Sequence, residues 1–595
     1  MCGIGGFMTL SGEAPPAGGL AAMEAALQHR GPDGFGHYRA GDVGMVQTRL
    51  AIIDLATGDQ PLYEPAGAAL VANGEIYNYV ELKQDLPPAV FATASDCEVP
   101  LHLYRRYGID FTRHLRGMYA IALHDPGAGK LILARDPFGI KPLYYVETPL
   151  GLAFASEPQA LIRGGFAPMR GGAPVLNPAA RNELLELQFT TGRETMFQGV
   201  HRVLPGETVV VARGRIVERR RIAALPENGT RAQTEDTALS AFDRAFSDSV
   251  LIHQRADVPY GMFLSGGIDS TAVLAMMARL NERPVQAFTI GFSNTGAADE
   301  RAAARAIARA LGAEHVEVEF REGDFWQSLP AIAHALDDPA ADYAVLPTYK
   351  LAETARASGL KVILSGEGGD ELFAGYGRYR SVMRPWWLGG KLLRGRGNLD
   401  GLGLLRADLA GWRDGVQAAE LAASARGRSR LQAAQATDCA DWLPNDLLTK
   451  LDRCLMAHGV EGRTPFLDSA VAQVAFRLPD DLKIHKRLGK WLLRRWVESN
   501  VPQAQAMARK RGFTVPVGEW IARRGAHLGP LVAAQPGIAE LCDPGAVATL
   551  FREAEKKRAG FAAWTLLFYA LWHRQHIERR ANGGGDVFTI LGARA

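Results

Sequence analysis

Between Val258 and Leu280 the chain reads VPYGMFLSGGIDSTAVLAMMARL, a short apolar run, a turn of Ser and Gly, and then an apolar helical segment. A short unbroken apolar run is a strand covered on both faces, and one that enters a helix through a Gly-rich turn belongs to a sheet built from strand–helix units. The pattern recurs. VQAFTIGF (285–292) precedes the Ala-rich ERAAARAIARALG (300–312), and KVILSGEGGDELF (361–373) gives another strand and turn. Strands alternating with helices predict a parallel, doubly wound sheet.

The turn SGGIDS, Ser265 to Ser270, points its backbone N–H groups and a helix N-terminus at whatever anion sits in it, which makes it a phosphate cradle without the lysine of a Walker motif. Alone, a Ser/Gly turn before a helix is more often a plain cap. A second such turn, SGEGGDE at Ser365 to Glu371, moves the balance toward a nucleotide site.

From Met1 to about Gly206 the text changes to short alternating runs such as LILARD and LAFASE, broken by Gly, Pro and Asp, which predicts β-sheet layers with a few helices. ETVVVARGRIVERRRI continues as strand, and LPENGTRAQTED then loses periodicity, so a linker is expected at 221–236 between a first domain, 1–220, and a second, 237–530. After about Val382 Ala, Leu, Arg and Trp dominate and predict a helical tail, with 531–595 of unassigned role. MRPWWLGGKLLRGRG mixes a Trp pair with Arg and Lys but is short and broken by Gly, which favours a docking helix or loop over a membrane-surface helix.

A chain of 595 residues is too long for one core, and 67 basic against 64 acidic residues spread along it leave no basic stripe of the kind that tracks nucleic acid. Small metabolites are the expected partners. No run approaches the roughly 20 apolar residues that span a bilayer, and the N-terminus lacks signal-peptide order, so the expected address is the cytoplasm. The five cysteines form no CxxC pair. Four read as small buried hydrophobes, whereas Cys2 becomes N-terminal once Met1 is removed, and its α-amine can then serve as the base for its own thiol.

MCGIGGF, HRGPDG (29–34), RLAIIDL (49–55), NGEIYNY (73–79) and SDCEV (95–99) stand in the order found in class II glutamine amidotransferases, and the two Gly-rich turns resemble those of the asparagine synthetases. The resemblance extends over about residues 1–530 and includes DDPAADYAVLPTYKLA from Asp337, LPNDLLTKLDRCLMAHGVEGRTPFLD from Leu443, KWLLRR and KRGFTVP. It implies an αββα sandwich of the N-terminal-nucleophile hydrolase type joined to an ATP-pyrophosphatase domain, both α/β. Carried onto matching positions, it implies that Cys2 is the nucleophile and that the Asn73 side chain and Gly74 N–H form the oxyanion hole. Arg49, with Leu50 and Ile53, would hold the glutamine carboxylate, while Asp96 and Glu75 receive its ammonium. His29, Arg30 and Asp33 would fix a loop beside the site.

In the second domain the same resemblance places Leu264, Ser265, Gly266, Gly267, Asp269, Ser270, Ile290, Ser365 and Gly366 around ATP. It makes Asp269 and Asp370 ligands of Mg²⁺, and puts Glu367 beside the acyl-adenylate. Lys490 would face the leaving pyrophosphate, with an exposed helix lysine as the alternative. The implied reaction turns aspartate, glutamine and ATP into asparagine, glutamate, AMP and pyrophosphate, with ammonia carried through an internal passage and the chain dimerising through its first domain. Departures at Gly462 and Thr464, where the family commonly has Ala and Val, leave a different carboxylate acceptor open. A non-catalytic glutamine or nucleotide sensor would need neither the nucleophile nor the two aspartates, and a plain glutaminase would not need the phosphate turn.

Overall fold

A computed structural model describes residues 2–593 except 87–90, 228, 294, 298, 389, 425–426, 509–513 and 581–583. Lys510 to Phe513 of the KRGFTVP string and Asn228 of the linker therefore lie outside the described residues. The N-terminal part is two six-stranded antiparallel sheets face to face. One runs in the order Val200–Arg202, Tyr144–Thr148, Gly151–Ala155, Gly3–Thr9, Val43–Arg49, Gly34–Ala40, and the other Arg215–Arg221, Glu207–Ala212, Lys130–Arg135, Gly117–Asp125, Ala69–Ile76, Leu62–Tyr63.

Alternation along the strands fills the space between the sheets with Ile4, Met8, Met45, Val71, Ala122, Leu133, Phe154 and Val209. The outer faces are covered as well. Phe7 and Val46 pack on Leu20, Met23 and Leu27 of the helix Ala17–Leu27, and Ile121 and Ile132 pack with Leu103 and Tyr104 of Val99–Tyr107. Helices on both outer faces give the αββα sandwich, and they explain why whole strands such as Gly3–Thr9 are buried instead of alternately exposed.

The second sheet has five parallel strands in the order Glu314–Phe320, Gln286–Phe292, Tyr260–Phe263, Val362–Leu364, Glu461–Arg463. The first strand in the chain, Tyr260–Phe263, lies in the middle, with strands that follow it on either side, so the order reverses between it and Val362–Leu364. In a doubly wound sheet the crevice at that reversal is where ligands bind. Both Gly-rich turns leave the sheet there. Helices Glu235–His253 and Ile268–Leu280 pack on one face through Phe242, Phe246, Val273 and Met276, and Glu322–Ala335 and Val345–Ala357 on the other through Leu329, Ile332 and Leu351.

The tail does more than wrap this domain. The helix Lys557–His576 is buried at nearly every position from Ala559 on, as expected of a helix that is apolar all round, and it packs on Glu322–Ala335. Its indoles donate to backbone carbonyls, Trp564 to Ala341 at 2.6 Å and Trp572 to Leu336 at 3.0 Å, which pins the stretch 336–342. Residue 530, where the sequence reading divides domain from tail, lies inside the helix Val517–Ala533. Trp386–Leu388 is a single 3-10 turn that leaves the Trp387 and Leu388 side chains exposed. No helix among the described residues is long and apolar enough to cross a membrane.

Candidate active sites

Cys2 precedes the strand Gly3–Thr9 and is buried where the two antiparallel sheets meet. Its backbone N–H donates to Asn73 Oδ1 at 3.2 Å, and its carbonyl accepts from Arg30 Nε at 3.2 Å. The Asn73 amide is fully buried, and its Nδ2 has no hydrogen-bond partner among the described residues, which leaves a donor for an oxyanion. Gly74 and Glu75 follow in the same strand, Gly74 opposite Tyr119. Burial pushes the Cys2 thiol above its ordinary range, with Glu75 adding to the shift and the Leu50 N–H and Arg49 opposing it.

Arg49 closes its strand with a buried guanidinium that donates to the carbonyls of Asp54 at 2.5 Å and Ile53 at 3.4 Å and to Asp59 Oδ1 at 2.6 Å. Asp59 is largely exposed, so the outer face of Arg49 is open to exchange that partner for a ligand carboxylate. Asp96 begins a 3-10 turn capped by Ser95 and accepts the Ile76 N–H at 2.6 Å. Burial raises the carboxyl pKa of both Asp96 and Glu75, and each is raised further by nearby carboxylates. An arriving ammonium would relieve that repulsion.

At the other end the two Gly-rich turns touch. Ser265 and Ser270 bond through their hydroxyls at 2.9 Å, Gly267 donates to Ser265 Oγ at 3.2 Å, and the helix Ile268–Leu280 starts beyond them. Leu264 and Ile290 are buried at the strand ends behind the turn, with Thr289 Oγ1 donating to the Leu264 carbonyl at 2.6 Å. A Cβ on Gly369 would lie 2.4 Å from Asp269 Oδ1, and one on Gly375 would lie 1.8 Å from Asp370 Oδ1 and 2.2 Å from Lys490 Cε. These glycines let three charged side chains converge. Lys490 Nζ lies 2.7 Å from Asp370 Oδ1 and also donates to Asp269.

Lys490 is only 3 % exposed, so the alternative of a solvent lysine does not hold. Burial works against its ammonium, but Asp269 and Asp370 outweigh it and raise the pKa. Beside it opens a cavity of about 780 Å³ lined by Gly375, Tyr376, Arg380, Arg384, Arg487 and Arg494, a basic chamber. Two carboxylates converging on one point, with room for phosphate oxygens, form a donor set that fits a hard dication. Glu367 is half-buried. Burial raises its pKa, Lys450 opposes the shift, and Asp342, Asp370 and Asp269 add to it.

Two segments of the second domain reach the first site. The carbonyl of Arg463 accepts the N–H of Ser365, the opening residue of the second turn, at 2.8 Å. Its guanidinium donates to Glu461 at 2.6 Å and to the carbonyls of His253 and Arg255, with Nη2 3.5 Å from Glu75. On the helix Thr449–Met456, Asp452 accepts two bonds from the fully buried Arg30, at 2.8 and 3.1 Å, and Arg453 pairs with Glu157 at 2.8 Å and Asp337 at 3.0 Å. Arg30 thus ties the Cys2 carbonyl to the second domain, while His29 bonds Glu157 and Asp33 accepts from Lys361 at 2.8 Å. Glu461, Asp452 and Arg463 are charged letters inside an apolar helix–strand pattern. That was the signal for them, and the sequence reading gave them no role.

The chain matches the glutamine amidotransferase domain family over residues 1–221 and the asparagine synthase family over 241–574. A Mycobacterium tuberculosis protein described as a glutamine-hydrolysing asparagine synthetase is 34% identical, over 97% of this chain and 98% of its own. The Bacillus subtilis asparagine synthetase 1, also described as glutamine-hydrolysing, is 32% identical over 94% of each. An amidase of Penicillium rubens, chyE, is 33% identical over 64% of this chain and 60% of its own.

Proposed function

The chain belongs to the asparagine synthase family, with a glutamine amidotransferase domain in front, and on that premise we propose how its two sites divide the work of glutamine-dependent asparagine synthesis. Once Met1 is removed, the Cys2 α-amine takes the thiol proton as sulfur attacks the glutamine side-chain amide. Asn73 Nδ2 and the Gly74 N–H bear the oxyanion, Arg49 the glutamine carboxylate, and Asp96 with Glu75 its ammonium. The same amine returns the proton to the leaving ammonia, and water then releases glutamate from the thioester. The buried Asn73 amide supports this assignment, because its Oδ1 is held by the Cys2 N–H while its Nδ2 has no hydrogen-bond partner among the described residues.

At the second site a carboxylate oxygen of aspartate attacks the α-phosphorus of ATP and pyrophosphate departs, its charge met by Lys490 and by the N–H groups of the Ser265–Ser270 turn. Asp269 and Asp370 are the residues that would hold Mg²⁺, which when bound neutralises phosphate charge. Ammonia then attacks the acyl carbon beside Glu367, AMP leaves, and the extra proton is lost. Because ammonia released into water becomes mostly ammonium, transfer inside the protein past Arg463 and Ser365 keeps it reactive.

The observation that carries the reading is the convergence of Asp269, Asp370 and Lys490 where two phosphate-type turns meet, in one chain with a buried N-terminal cysteine. The test is pyrophosphate and asparagine formation from ATP, Mg²⁺ and glutamine with and without aspartate. Both products should require aspartate, and Cys2→Ala should make asparagine from ammonia but not from glutamine. Glutamine hydrolysis with no aspartate-dependent pyrophosphate would overturn it.

A further inference from the structure

Cys2, Arg49, Asn73, Glu75 and Asp96 all lie in the first domain, yet the loop that follows Arg49 is built on the second. Leu50, Ile52 and Ile53 are buried in one apolar cluster with Met262 and Leu364 of the parallel sheet. At the next residue the backbone turns. Asp54 is in the left-handed region, φ 55°, a conformation that a residue with a side chain seldom holds unless its surroundings fix it.

Asp54 touches both halves of the first site. Its carbonyl accepts from Arg49 Nη2 at 2.5 Å, while its carboxylate accepts the Thr57 N–H at 2.9 Å and hydroxyl at 2.6 Å and the N–H of Ala94, two residues before Asp96, at 2.9 Å. Its own N–H is met from the second domain: it donates to Asp257 Oδ2 at 2.7 Å, and the Asp257 N–H donates back to the Ile52 carbonyl at 2.9 Å. A second tie holds the start of the loop. Lys361 Nζ donates to Asp33 Oδ2 at 2.8 Å and to the Ala51 carbonyl at 3.4 Å, and the same Asp33 oxygen accepts the Ala51 N–H at 2.9 Å. Asp257 and Lys361 stand just before the strands Tyr260–Phe263 and Val362–Leu364, each of which runs into one of the Gly-rich turns. At four and three residues these strands are struts of only about 10–13 Å.

We infer that Asp257 and Lys361 are positioning residues of the glutaminase site, acting through the loop 50–57 on the grip that Arg49 and Asp96 take on glutamine. This rests on the reading that Arg49 meets the glutamine carboxylate and Asp96 its ammonium. The two grips hold one molecule only if their separation is fixed, and Asp54 fixes it by bonding both sides at once. Without the Asp257 carboxylate the Asp54 N–H loses its acceptor, the left-handed turn relaxes, and the Arg49 acceptor and the Ala94 anchor shift together. The second domain therefore completes a substrate site whose reacting groups all lie in the first.

The test is steady-state hydrolysis by the intact enzyme of glutamine and of 4-aminobutanamide, which is glutamine without its α-carboxylate. The Asp257 side chain is exposed, so its replacement opens no cavity. Asp257→Ala should raise the glutamine KM by about tenfold, the effect of losing one hydrogen bond to a charged acceptor, with kcat and ammonia-dependent synthesis within about twofold of the parent. Asp257→Asn keeps an oxygen acceptor and should restore the KM to within about threefold. With 4-aminobutanamide, which gives Arg49 nothing to hold, Asp257→Ala should lower kcat/KM by less than about threefold. An unchanged glutamine KM in Asp257→Ala, an equal loss with 4-aminobutanamide, or an equal loss of ammonia-dependent synthesis overturns the assignment. Should Asp257→Ala not fold, Lys361→Met reads the same loop from its other tie: a raised glutamine KM supports the assignment and an unchanged one overturns it. If the parent enzyme hydrolyses 4-aminobutanamide as readily as glutamine, Arg49 does not grip the carboxylate, and the reading of the first site falls together with this inference.

Discussion

Lys490 holds two carboxylates that would otherwise repel each other, and it does so from a left-handed backbone conformation, φ 59°, fixed by its N–H bond to the Phe373 carbonyl at 3.0 Å. Replacing it by Gln keeps the length and removes the charge. Lys490→Gln should lower pyrophosphate formation by about two to three orders of magnitude, the usual cost of removing a group that stabilises developing charge, while glutaminase activity persists. Asn73→Ala should do the reverse, with glutamine hydrolysis down by a similar factor in steady-state assays and ammonia-dependent synthesis unchanged. The Cys2 thiol is raised by burial, so the thiolate is scarce at neutral pH, and alkylation of the free enzyme by iodoacetamide should keep accelerating as pH climbs beyond the ordinary thiol range.

Among the elements, the helix Thr449–Met456 ties the two domains together: Lys450 donates to Asp342 at 3.0 Å, and Asp452 and Arg453 reach Arg30 and Glu157 of the first domain. The pairs are buried, so removing one partner strands the other. Asp452→Asn should lower unfolding free energy by about 3–5 kcal/mol and slow glutamine hydrolysis, because Arg30 then holds the Cys2 carbonyl less firmly. Denaturant melts and glutaminase assays on one preparation check both. Burial alone would raise the Glu157 carboxyl, but Arg453, His29 and Arg30 hold it well below the usual carboxylate range. Its contribution is therefore complete above that range and lost as pH falls through it toward the depressed value, so the junction should loosen in acid.

For the molecule as a whole, the tail is a core element. Removing 531–595 would strip Trp564 and Trp572 from the face they cover and release Ala341, so the truncated chain should fail to give soluble folded protein on expression. His576 ties the tail to the first domain, its Nδ1 accepting from Gln159 at 2.9 Å and its Nε2 donating to the Ala333 carbonyl at 3.0 Å. Burial, with His334 adding to it, lowers its pKa to about 3. The folded state then binds fewer protons than the unfolded one between that value and the ordinary histidine range. Stability should decline as pH falls below about 6.5, by at most about 1.4 kcal/mol per unit for this ring, and His576→Gln should flatten the slope seen in melts between pH 7 and 5.

By itself the sequence determined what is local. A strand, a Gly-rich turn and a helix cap are written in consecutive residues, so the parallel sheet and both Gly-rich turns were legible in it. Only the tertiary structure decided what depends on residues far apart. Asp342 lies on one segment and Asp446 and Lys450, one turn apart, on another, and only packing buries their charges together. The same is true of Lys490, whose burial between Asp269 and Asp370 could not be read from GKWLLR, and of the tail, whose helix was expected but not its place over residues 336–342. The reason is physical. Backbone preference acts over a few residues, whereas burial, and with it the pairing each charge requires, is set by the whole chain closing around it.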